Sequence, residues 1–528
     1  MPESCSDAVA RALRSRGVER VYGIPGGETV HLVDSLLAHG IDLVVTRHEN
    51  SAAFMGLTGA RHDGRPVVCM TTIGPGASNI VMGAGTATLD FSPLLVISGE
   101  LPAAERGHPR KQKVPQRELF NTVCKGSYEL TENGPDACCL QALDLATAER
   151  PGAVHLSLPA DLAAKPSTPH SYRPEPIEEP ASELIAAEGM LAGAERPVAL
   201  LGAGVLRSAA GEAARRFVSS NSIPALHTWQ GAGTVPFQDP LCLGNVGLPC
   251  HRAPMRALAE ADLVVTVGYD EQEFQPSIWD PEGEKSVLHL SANPPQDVPC
   301  YRPRAAVGDL NHILSSLSPA RRGGEWAAHL REEVVKHMER TVPSERGMDP
   351  LSILRALDSF MGDDDVLVSD VGAHMLWIAE HLPCRREGQV LLSNGMIPMG
   401  IGLPGAMGVK FSSPDKNCIT VTGDAGLMMC LGELQTAIEH DVPVTVMVWN
   451  DAALGLIETR HELALGGCEA YRLGRNDMAK VAESLGATGL SVERASQLPA
   501  ALEEGRRNDL PTVIDMAVDY SRNRDLLV

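Results

Sequence analysis

Short apolar runs recur along the whole chain, and each is followed by a stretch whose apolar residues return every three or four positions. Such a run, bounded by Gly, Pro or Asp, predicts a strand buried on both faces, and the alternation with amphipathic helices predicts parallel sheets. The predicted strands are RVYGIP, DLVVTRH, PVVCMTT, PLLVISG and AVHLSLP in the first third, PVALLGA, LVVTVGY and SVLHLS in the middle, and DVLVSDVG, CITVTGD, PVTVMVWND and PTVIDMAV in the last third.

Two segments interrupt this pattern and divide the chain. Residues 162–183 carry five prolines and few apolar residues, and residues 318–350 contain a Gly/Arg break, one charged helix and a second Pro/Gly break. Segments of this composition run extended between domains. The chain of 528 residues is also too long for one core. We therefore predict three α/β domains with doubly wound parallel sheets, at residues 1–165, 180–340 and 345–528.

Charge and cysteine usage exclude several classes of function. The formal net charge of −22 argues against nucleic acid and against an anionic membrane surface as partners. No apolar run approaches the ~20 residues of a membrane-spanning helix, and the N-terminus lacks an apolar signal-peptide core. The twelve cysteines are scattered without a C-x-x-C pair, so we expect buried thiols in a reducing cytoplasm rather than a zinc site or a disulfide framework.

Candidate chemistry appears where two predicted strands end. Asp424 follows ITVTG, and Asp451 follows VPVTVMVWN after one predicted crossover helix. Parallel strands joined in this way are commonly adjacent, so both carboxylates are expected at the same sheet edge. Two carboxylates beside a Gly-rich turn suit a Mg²⁺ ion that also binds a phosphate. The alternative is that Asp424 only caps the following helix, and the local pattern does not separate the two.

Two further turns carry candidate residues in the first third of the chain. Glu49 follows a strand and opens a helix predicted to run through Ala60, where it is either catalytic or a solvated first-turn acid favoured by the helix dipole. TTIGPGASN, residues 71–79, is a Gly/Pro turn whose backbone N–H groups suit an anion or a carbonyl oxygen.

These motifs together resemble the thiamine diphosphate-dependent enzymes. GDAGL followed by WND is similar to that superfamily's signature, and TRHENSAAFMG is similar to the segment that carries its cofactor glutamate. VYGIPGG, TTIGPGASN, RPGAVHLSLPADL and SNGMIPMGIGLPGAMG follow in the expected order. Within the superfamily the chain most resembles acetolactate synthases of the catabolic, FAD-independent kind. The three domains would then be the pyrimidine-binding, central and diphosphate-binding domains.

The resemblance implies a set of cofactor-binding residues. It makes Glu49 the group that bonds N1′ of the aminopyrimidine, so that the 4′-imino nitrogen can take the C2 proton. Met399 would separate the two rings of the cofactor. The residues that would contact the cofactor elsewhere are Gly26, Gly27, the carbonyl of Ile397, Gly423 and Ala425, and the implied Mg²⁺ ligands are Asp424, Asp451 and the carbonyl of Ala453.

The resemblance also implies a reaction and an assembly. The expected reaction is decarboxylation of a 2-oxo acid such as pyruvate and ligation to a second carbonyl, with Gln112 as the active-site Gln. Lys111 and Leu454 stand where the synthases carry His and an aromatic residue, which leaves open a simple decarboxylase or a carboligase with another acceptor. A dimer is the implied minimum unit and a tetramer the usual one.

Two other possibilities follow from the remaining residues. A non-catalytic homologue is disfavoured by the intact set Glu49, Asp424, Asp451 and Met399. The lone G-x-G at Gly202 and Gly204 is weak support for a dinucleotide, so no FAD is predicted.

Overall fold

The computed structural model describes residues 3–173, 184–247, 252–319, 324–340, 348–467 and 469–527. Residues 174–183 of the first predicted linker, and 320–323 and 341–347 of the second, lie outside the described residues. The predicted charged helix between these breaks is present at Ala328–Met338.

Three six-stranded sheets form the frame of the molecule, and all pairings between their strands are parallel. The strands of the first sheet are β1 Arg20–Ile24, β2 Asp42–Val45, β3 Val67–Thr71, β4 Leu94–Glu100, β5 Gly126–Glu129 and β6 Ala153–Pro159. Those of the second are β7 Pro197–Leu201, β8 Ala225–His227, β9 Cys242–Asn245, β10 Leu263–Val267, β11 Ser286–Ser291 and β12 Arg304–Val307. Those of the third are β13 Val366–Ser369, β14 Val390–Leu391, β15 Cys418–Gly423, β16 Thr445–Asn450, β17 Thr488–Val492 and β18 Thr512–Ala517.

Helices connect the strands and cover the sheets. Around the first sheet they are α1 Cys5–Ser15, α2 Val30–Ala38, α3 Glu49–Asp63, α4 Pro75–Asn79, α5 Val81–Leu89, α6 Gln116–Asn121 and α7 Pro135–Thr147. Around the second they are α8 Leu184–Gly193, α9 Gly204–Arg207, α10 Gly211–Asn221, α11 Arg252–Glu260, α12 Pro276–Trp279, α13 Leu310–Ser316 and α14 Ala328–Met338. Around the third they are α15 Pro350–Phe360, α16 Ala373–His381, α17 Gly402–Ser412, α18 Asp424–Cys430, α19 Glu433–Glu439, α20 Gly455–Leu465, α21 Met478–Ser484 and α22 Leu498–Arg507.

The predicted fold class is confirmed, because the chain forms three parallel α/β sheets with flanking helices. The strand order is β2-β1-β3-β4-β6-β5 in the first sheet, β12-β11-β10-β7-β8-β9 in the second and β14-β13-β15-β16-β18-β17 in the third. Six strands lack a predicted counterpart, namely β5, β8, β9, β12, β14 and β17. All of these except β8 lie at a sheet edge, where one side of the strand has no neighbour and no continuous apolar run is needed.

The first and third domains share one hydrophobic core, built where α3 packs against α17. The two helices approach closely, because a Cβ placed on Gly408 would lie 2.0 Å from the carbonyl oxygen of Met55. On the same face, a Cβ on Gly405 would lie 2.9 Å from Oγ1 of Thr58. Any side chain at Gly408 would separate the helices, so this contact requires glycine. The contact fixes the position of Glu49, at the start of α3, relative to the third domain.

The described part of the chain contains no helix long and apolar enough to cross a membrane.

Candidate functional site

Asp424 and Asp451 meet at the carboxyl edge of the third sheet. β15 and β16 are adjacent and parallel, with Gly423 opposite Trp449, so the residues that follow these strands lie side by side. The predicted single crossover helix is wrong in detail, because the connection consists of α18 and α19. Gly423 is the N-cap of α18 and Asp424 is its first residue, so Asp424 does not occupy the capping position.

The two carboxylates repel each other in a partly desolvated position. Burial and the neighbouring charge of Asp424 raise the pKa of Asp451 to about 7. Burial also raises the pKa of Asp424, which is 4% exposed. A divalent cation between them would remove both effects by replacing repulsion with attraction.

The loop after β16 has a strained backbone, and hydrogen bonds to residues 471–473 hold it in place. Ala452 has a φ of 52°, which is unusual for a residue other than glycine. The amide of Leu473 donates to the carbonyl of Ala452 at 2.7 Å, and the amide of Leu454 donates to the carbonyl of Tyr471 at 2.9 Å. These bonds leave Ala453, which is 5% exposed, next to the acidic pair.

A cavity lies in front of the acidic pair, and two buried donor atoms and one imidazole nitrogen line it without a partner. Its lining includes Asp424, Asp451, Met399 and Leu454, together with an aromatic wall formed by His374, Trp449 and Tyr520. Nε2 of His374, Nε1 of Trp449 and the hydroxyl of Tyr520 find no hydrogen-bond partner within the described part of the chain.

The unpaired atoms of this aromatic wall fit an anion. The rings of His374 and Tyr520 lie 6.4 and 6.1 Å from that of Trp449, so the three side chains form one surface. Burial lowers the pKa of His374 to about 4, so its ring is neutral at pH 7. Nε1 of Trp449 and the hydroxyl of Tyr520 are buried donors without acceptors, which is costly, and a bound phosphate would supply the missing acceptors. A phosphate and a cation therefore both fit this cavity.

Asp370, which the sequence analysis did not single out, anchors the segment that carries Met399. Its side chain is fully buried, with Oδ1 accepting from the amide of Gly400 at 2.8 Å and Oδ2 accepting from Oγ1 of Thr422 at 2.7 Å. Ile397, in the same segment, has a φ of 52° and an exposed side chain. The position of Asp370 directly after the apolar strand β13 is the one feature of the sequence that could have indicated its anchoring role.

The candidate residues of the first domain gather at the carboxyl edge of the first sheet. Glu49 begins α3 as predicted and is 6% exposed, and its Oε2 accepts from Nδ2 of Asn79 at 2.9 Å. A Cβ on Gly76 would lie 3.1 Å from Oε1 of Glu49, so the turn after β3 closes over this carboxylate. The solvated-acid interpretation of Glu49 is therefore wrong for this structure.

Gln112 and Lys111 reach the same edge from a loop. Gln112 has a φ of 61°, and its carbonyl oxygen would lie 2.4 Å from a Cβ on Gly74. The loop therefore packs on the turn that covers Glu49. The side chains of Lys111 and Gln112 are both exposed.

Gly26 packs tightly against the turn after β3, whereas the space beside Gly27 is empty. A Cβ on Gly26 would lie 2.1 Å from Oγ1 of Thr72, whereas a Cβ on Gly27 would contact nothing within 4 Å. The next residue, Glu28, accepts from the amide of Ile73 at 2.6 Å and so holds the turn after β3. Sequence analysis gave no signal for Glu28.

Glu433 connects the loop before Glu49 to the third domain. Its Oε1 accepts from the amides of Arg47 and His48 at 3.0 and 3.1 Å, and its Oε2 accepts from Oγ1 of Thr436 at 2.8 Å. The residue is 1% exposed, and burial raises its pKa. No periodicity predicted this contact, because it joins residues from distant parts of the chain.

One chain does not bring all the predicted residues together. Glu49, Lys111 and Gln112 are absent from the lining of the cavity that contains Asp424 and Asp451, which consists of described residues of the third domain. Large apolar side chains near that cavity are exposed, namely Met396, Ile397, Met428, Met429 and Ile457.

In the central domain, the G-x-G turn binds a side chain of the protein itself. The amide of Ala203 donates to both carboxylate oxygens of Glu273, at 3.0 and 3.2 Å. Burial, and next the charge of Asp270, raise the pKa of Glu273 to about 8. A carboxyl group thus takes the amide that a phosphate would use at this turn. The absence of FAD remains a prediction.

Three family models match the chain in order. They are the thiamine pyrophosphate enzyme N-terminal TPP binding domain over residues 4–123, the central domain over residues 184–317 and the C-terminal TPP binding domain over residues 370–516. The C-terminal match includes the acidic pair, His374 and Trp449, and it ends before Tyr520. Glu49 lies in the N-terminal match.

Curated relatives are similar over nearly the full chain. The acetolactate synthase of Bacillus subtilis (strain 168) is 31% identical over 99% of this chain and 94% of its own length. The catabolic acetolactate synthase of Raoultella terrigena is 29% identical, with 98% and 95% covered. The large subunit of acetolactate synthase isozyme 2 from Escherichia coli (strain K12) is 30% identical, again with 98% and 95% covered.

Proposed function

This chain belongs to the thiamine pyrophosphate enzymes, and from that premise we propose that it decarboxylates pyruvate and joins the two-carbon fragment to a second pyruvate, giving 2-acetolactate. Decarboxylation and carboligation as a reaction class follow from the family and its acetolactate synthase relatives. The observation that carries the proposal is the cavity in which an acidic pair faces two buried, unpaired donors, Nε1 of Trp449 and the hydroxyl of Tyr520.

The acidic pair and the aromatic wall would hold the diphosphate end. We assign Asp424, Asp451 and the carbonyl of Ala453 to a Mg²⁺ ion, with the backbone at Gly423 and Ala425 beside the phosphates. Two carboxylates and one carbonyl are oxygen ligands of the kind Mg²⁺ prefers, and phosphate oxygens and water complete such a shell.

Glu49 would hold a proton at the other end of the cofactor. Thiamine diphosphate would supply a nucleophilic carbon for the keto carbon and a sink for the electron pair that stays behind when CO₂ leaves. Glu49 would share a proton with N1′ of the pyrimidine and so would act as a general acid and base. The carbonyl of Ile397 would accept from the 4′-amino group, and Met399 would separate the two rings.

The acceptor would bind near the loop that carries Lys111 and Gln112. Both side chains are exposed beside the turn over Glu49, and Gly27 leaves open space at the same edge. In the third domain, Leu454 lines the cavity with the acidic pair. The acetolactate synthases that the chain resembles carry an aromatic residue at this position. The loss of an aromatic side chain there favours the second candidate, a carboligase with a larger acceptor, while a 2-oxo acid decarboxylase is the other alternative.

We also propose that two chains complete each site. One chain leaves Glu49 out of the cavity with the acidic pair, and the exposed Met428, Met429 and Ile397 beside that cavity are suited to contact a second copy. The proposed unit is a homodimer or homotetramer of chains with domains at 1–165, 180–340 and 345–528. A reducing cytoplasmic location remains a prediction from the scattered cysteines.

The decisive experiment incubates the protein with pyruvate, thiamine diphosphate and Mg²⁺ and identifies the carbon products. Acetolactate supports the proposal, free acetaldehyde supports a decarboxylase, and adding a larger aldehyde or 2-oxo acid tests the second candidate. Cofactor-dependent assembly without CO₂ release from any 2-oxo acid would revive the non-catalytic homologue. Glu49→Gln serves as the inactive control.

A further inference from the structure

A second polar cluster lies away from the proposed active site, where the central and third domains meet. α14 carries His337 in its last turn, and α16 ends with Glu380 and His381. One nitrogen or oxygen atom from each of these three residues lies within 4.8 Å of the other two. Oε1 of Glu380 is 2.9 Å from Nε2 of His337 and 4.0 Å from Nε2 of His381.

The electrostatics of the cluster favour a cation. Both helices direct their C-terminal ends, which carry partial negative charge, towards it. The Glu380 side chain is only 9% exposed, and its Oε2 finds no hydrogen-bond partner among the described residues. A buried carboxylate oxygen is costly unless it is hydrogen-bonded or binds a metal.

Neighbouring contacts hold these side chains in place. The two imidazole rings stack at 4.8 Å, and Trp377 stacks on His381 at 5.3 Å. Nε1 of Trp377 is itself fixed by Oδ1 of Asn523 at 2.9 Å. Across the domain boundary, Nδ2 of Asn245 donates to the carbonyl of Ala379 at 2.8 Å. Supported ligands of this kind need little reordering to bind an ion.

We propose that His337, Glu380 and His381 bind a divalent transition-metal ion, with Zn²⁺ as the probe. Two imidazole nitrogens and one carboxylate oxygen, with water as a fourth ligand, form a set that Zn²⁺ accepts. Zn–ligand bonds of about 2.0–2.1 Å place tetrahedral ligands about 3.3 Å apart, so small side-chain rotations close the site. The ion fastens α14 to α16 and thereby the central domain to the third.

The test uses the full, untagged chain saturated with thiamine diphosphate and Mg²⁺, so that the acidic pair is occupied. Zn²⁺ binding is measured by equilibrium dialysis with metal analysis, alongside the melting temperature. We expect one tightly bound Zn²⁺ per chain and a Zn²⁺-dependent rise in melting temperature. Changing even an outer-shell partner costs 10- to 100-fold in affinity, so His337→Ala and His381→Ala each weaken binding at least ~tenfold.

The matched control is His329→Ala, because His329 lies exposed on α14 and outside the cluster. That variant should bind Zn²⁺ as the wild type does. If a histidine variant fails to fold, Glu380→Gln is the substitute, because the amide keeps a hydrogen-bonding atom for His337 but loses the charge. Failure of the wild type to bind Zn²⁺, or wild-type affinity in the ligand variants, would overturn the proposal. This test does not measure turnover of pyruvate, so its result does not depend on whether the proposed reaction is correct.

Discussion

Removing the carboxylate of Glu433 is expected to displace Glu49, the residue proposed to transfer a proton, although the two residues lie on different domains. Glu433 lies on α19 of the third domain and accepts from the amides of Arg47 and His48, directly before Glu49. Glu433→Ala would leave both amides without an acceptor. The start of α3 would keep the bond between Glu49 and Asn79, the bond from the amide of Gly83 to Oδ1 of Asn50 and the ion pair of Arg47 with Glu439, but it would lose both bonds that fix its preceding backbone to Glu433.

The structure sets the size of the effect. A hydrogen bond to a charged group contributes about 1.5–3 kcal/mol, and the side chains of Arg47 and His48 are exposed, so water can reach the loop. The lower bound therefore applies to each of the two bonds, and we expect a loss of about 3 kcal/mol in stability. A misplacement of Glu49 by about 1 Å would slow proton transfer up to about 100-fold.

The assay measures hydrogen–deuterium exchange at C2 of bound thiamine diphosphate, together with cofactor affinity and the melting temperature. Glu433→Ala should slow exchange 10- to 100-fold while affinity at the acidic pair changes little. Glu433→Gln is the matched control, because its oxygen still accepts from both amides and Thr436 can rotate its hydroxyl. The positioning argument is refuted if the alanine variant exchanges at the wild-type rate, or if the glutamine variant is equally slow.

Three other substitutions test separate parts of the proposed site, and a fourth tests the central domain. Glu49→Gln should leave the fold and cofactor affinity intact but slow C2 exchange by about 10²–10⁴-fold, and unchanged exchange in that variant would remove Glu49 from the mechanism. Asp424→Ala should weaken thiamine diphosphate binding measured by calorimetry, whereas wild-type affinity would make Asp424 a structural residue. Tyr520→Phe should lower cofactor affinity about tenfold without lowering the cofactor-free melting temperature, because its hydroxyl has no partner in the described structure. Glu273→Gln should raise stability above pH 8 but not below about pH 4.5. The pKa of Glu273 rises from 4.5 to about 8 on folding, so its ionisation costs stability progressively as the pH rises through that window, and equal melting temperatures of the two proteins at pH 9 would contradict this.

The hydrophobic pattern by itself determined the three parallel sheets and every interior strand within them except β8. β15 and β16 are buried on both faces, so they must be continuously apolar, and that run is visible in the sequence. The same logic placed Asp424 and Asp451 together, because parallel strands joined by one crossover end at the same edge. Edge strands such as β14 and β17 escaped prediction because only one side of each has a strand to pair with.

Only the tertiary structure decided which distant residues meet. Glu433 contacts the loop before Glu49. His374, which precedes Trp449 in the chain, and Tyr520, which follows it, both pack near its ring. No local periodicity of the sequence predicts these contacts. The pairing of His337 with Glu380 is of the same kind, since it depends on how the central domain rests on the third. Local periodicity reflects which residues of one helix or strand are buried. These contacts depend instead on how several helices and strands from distant parts of the chain pack against one another.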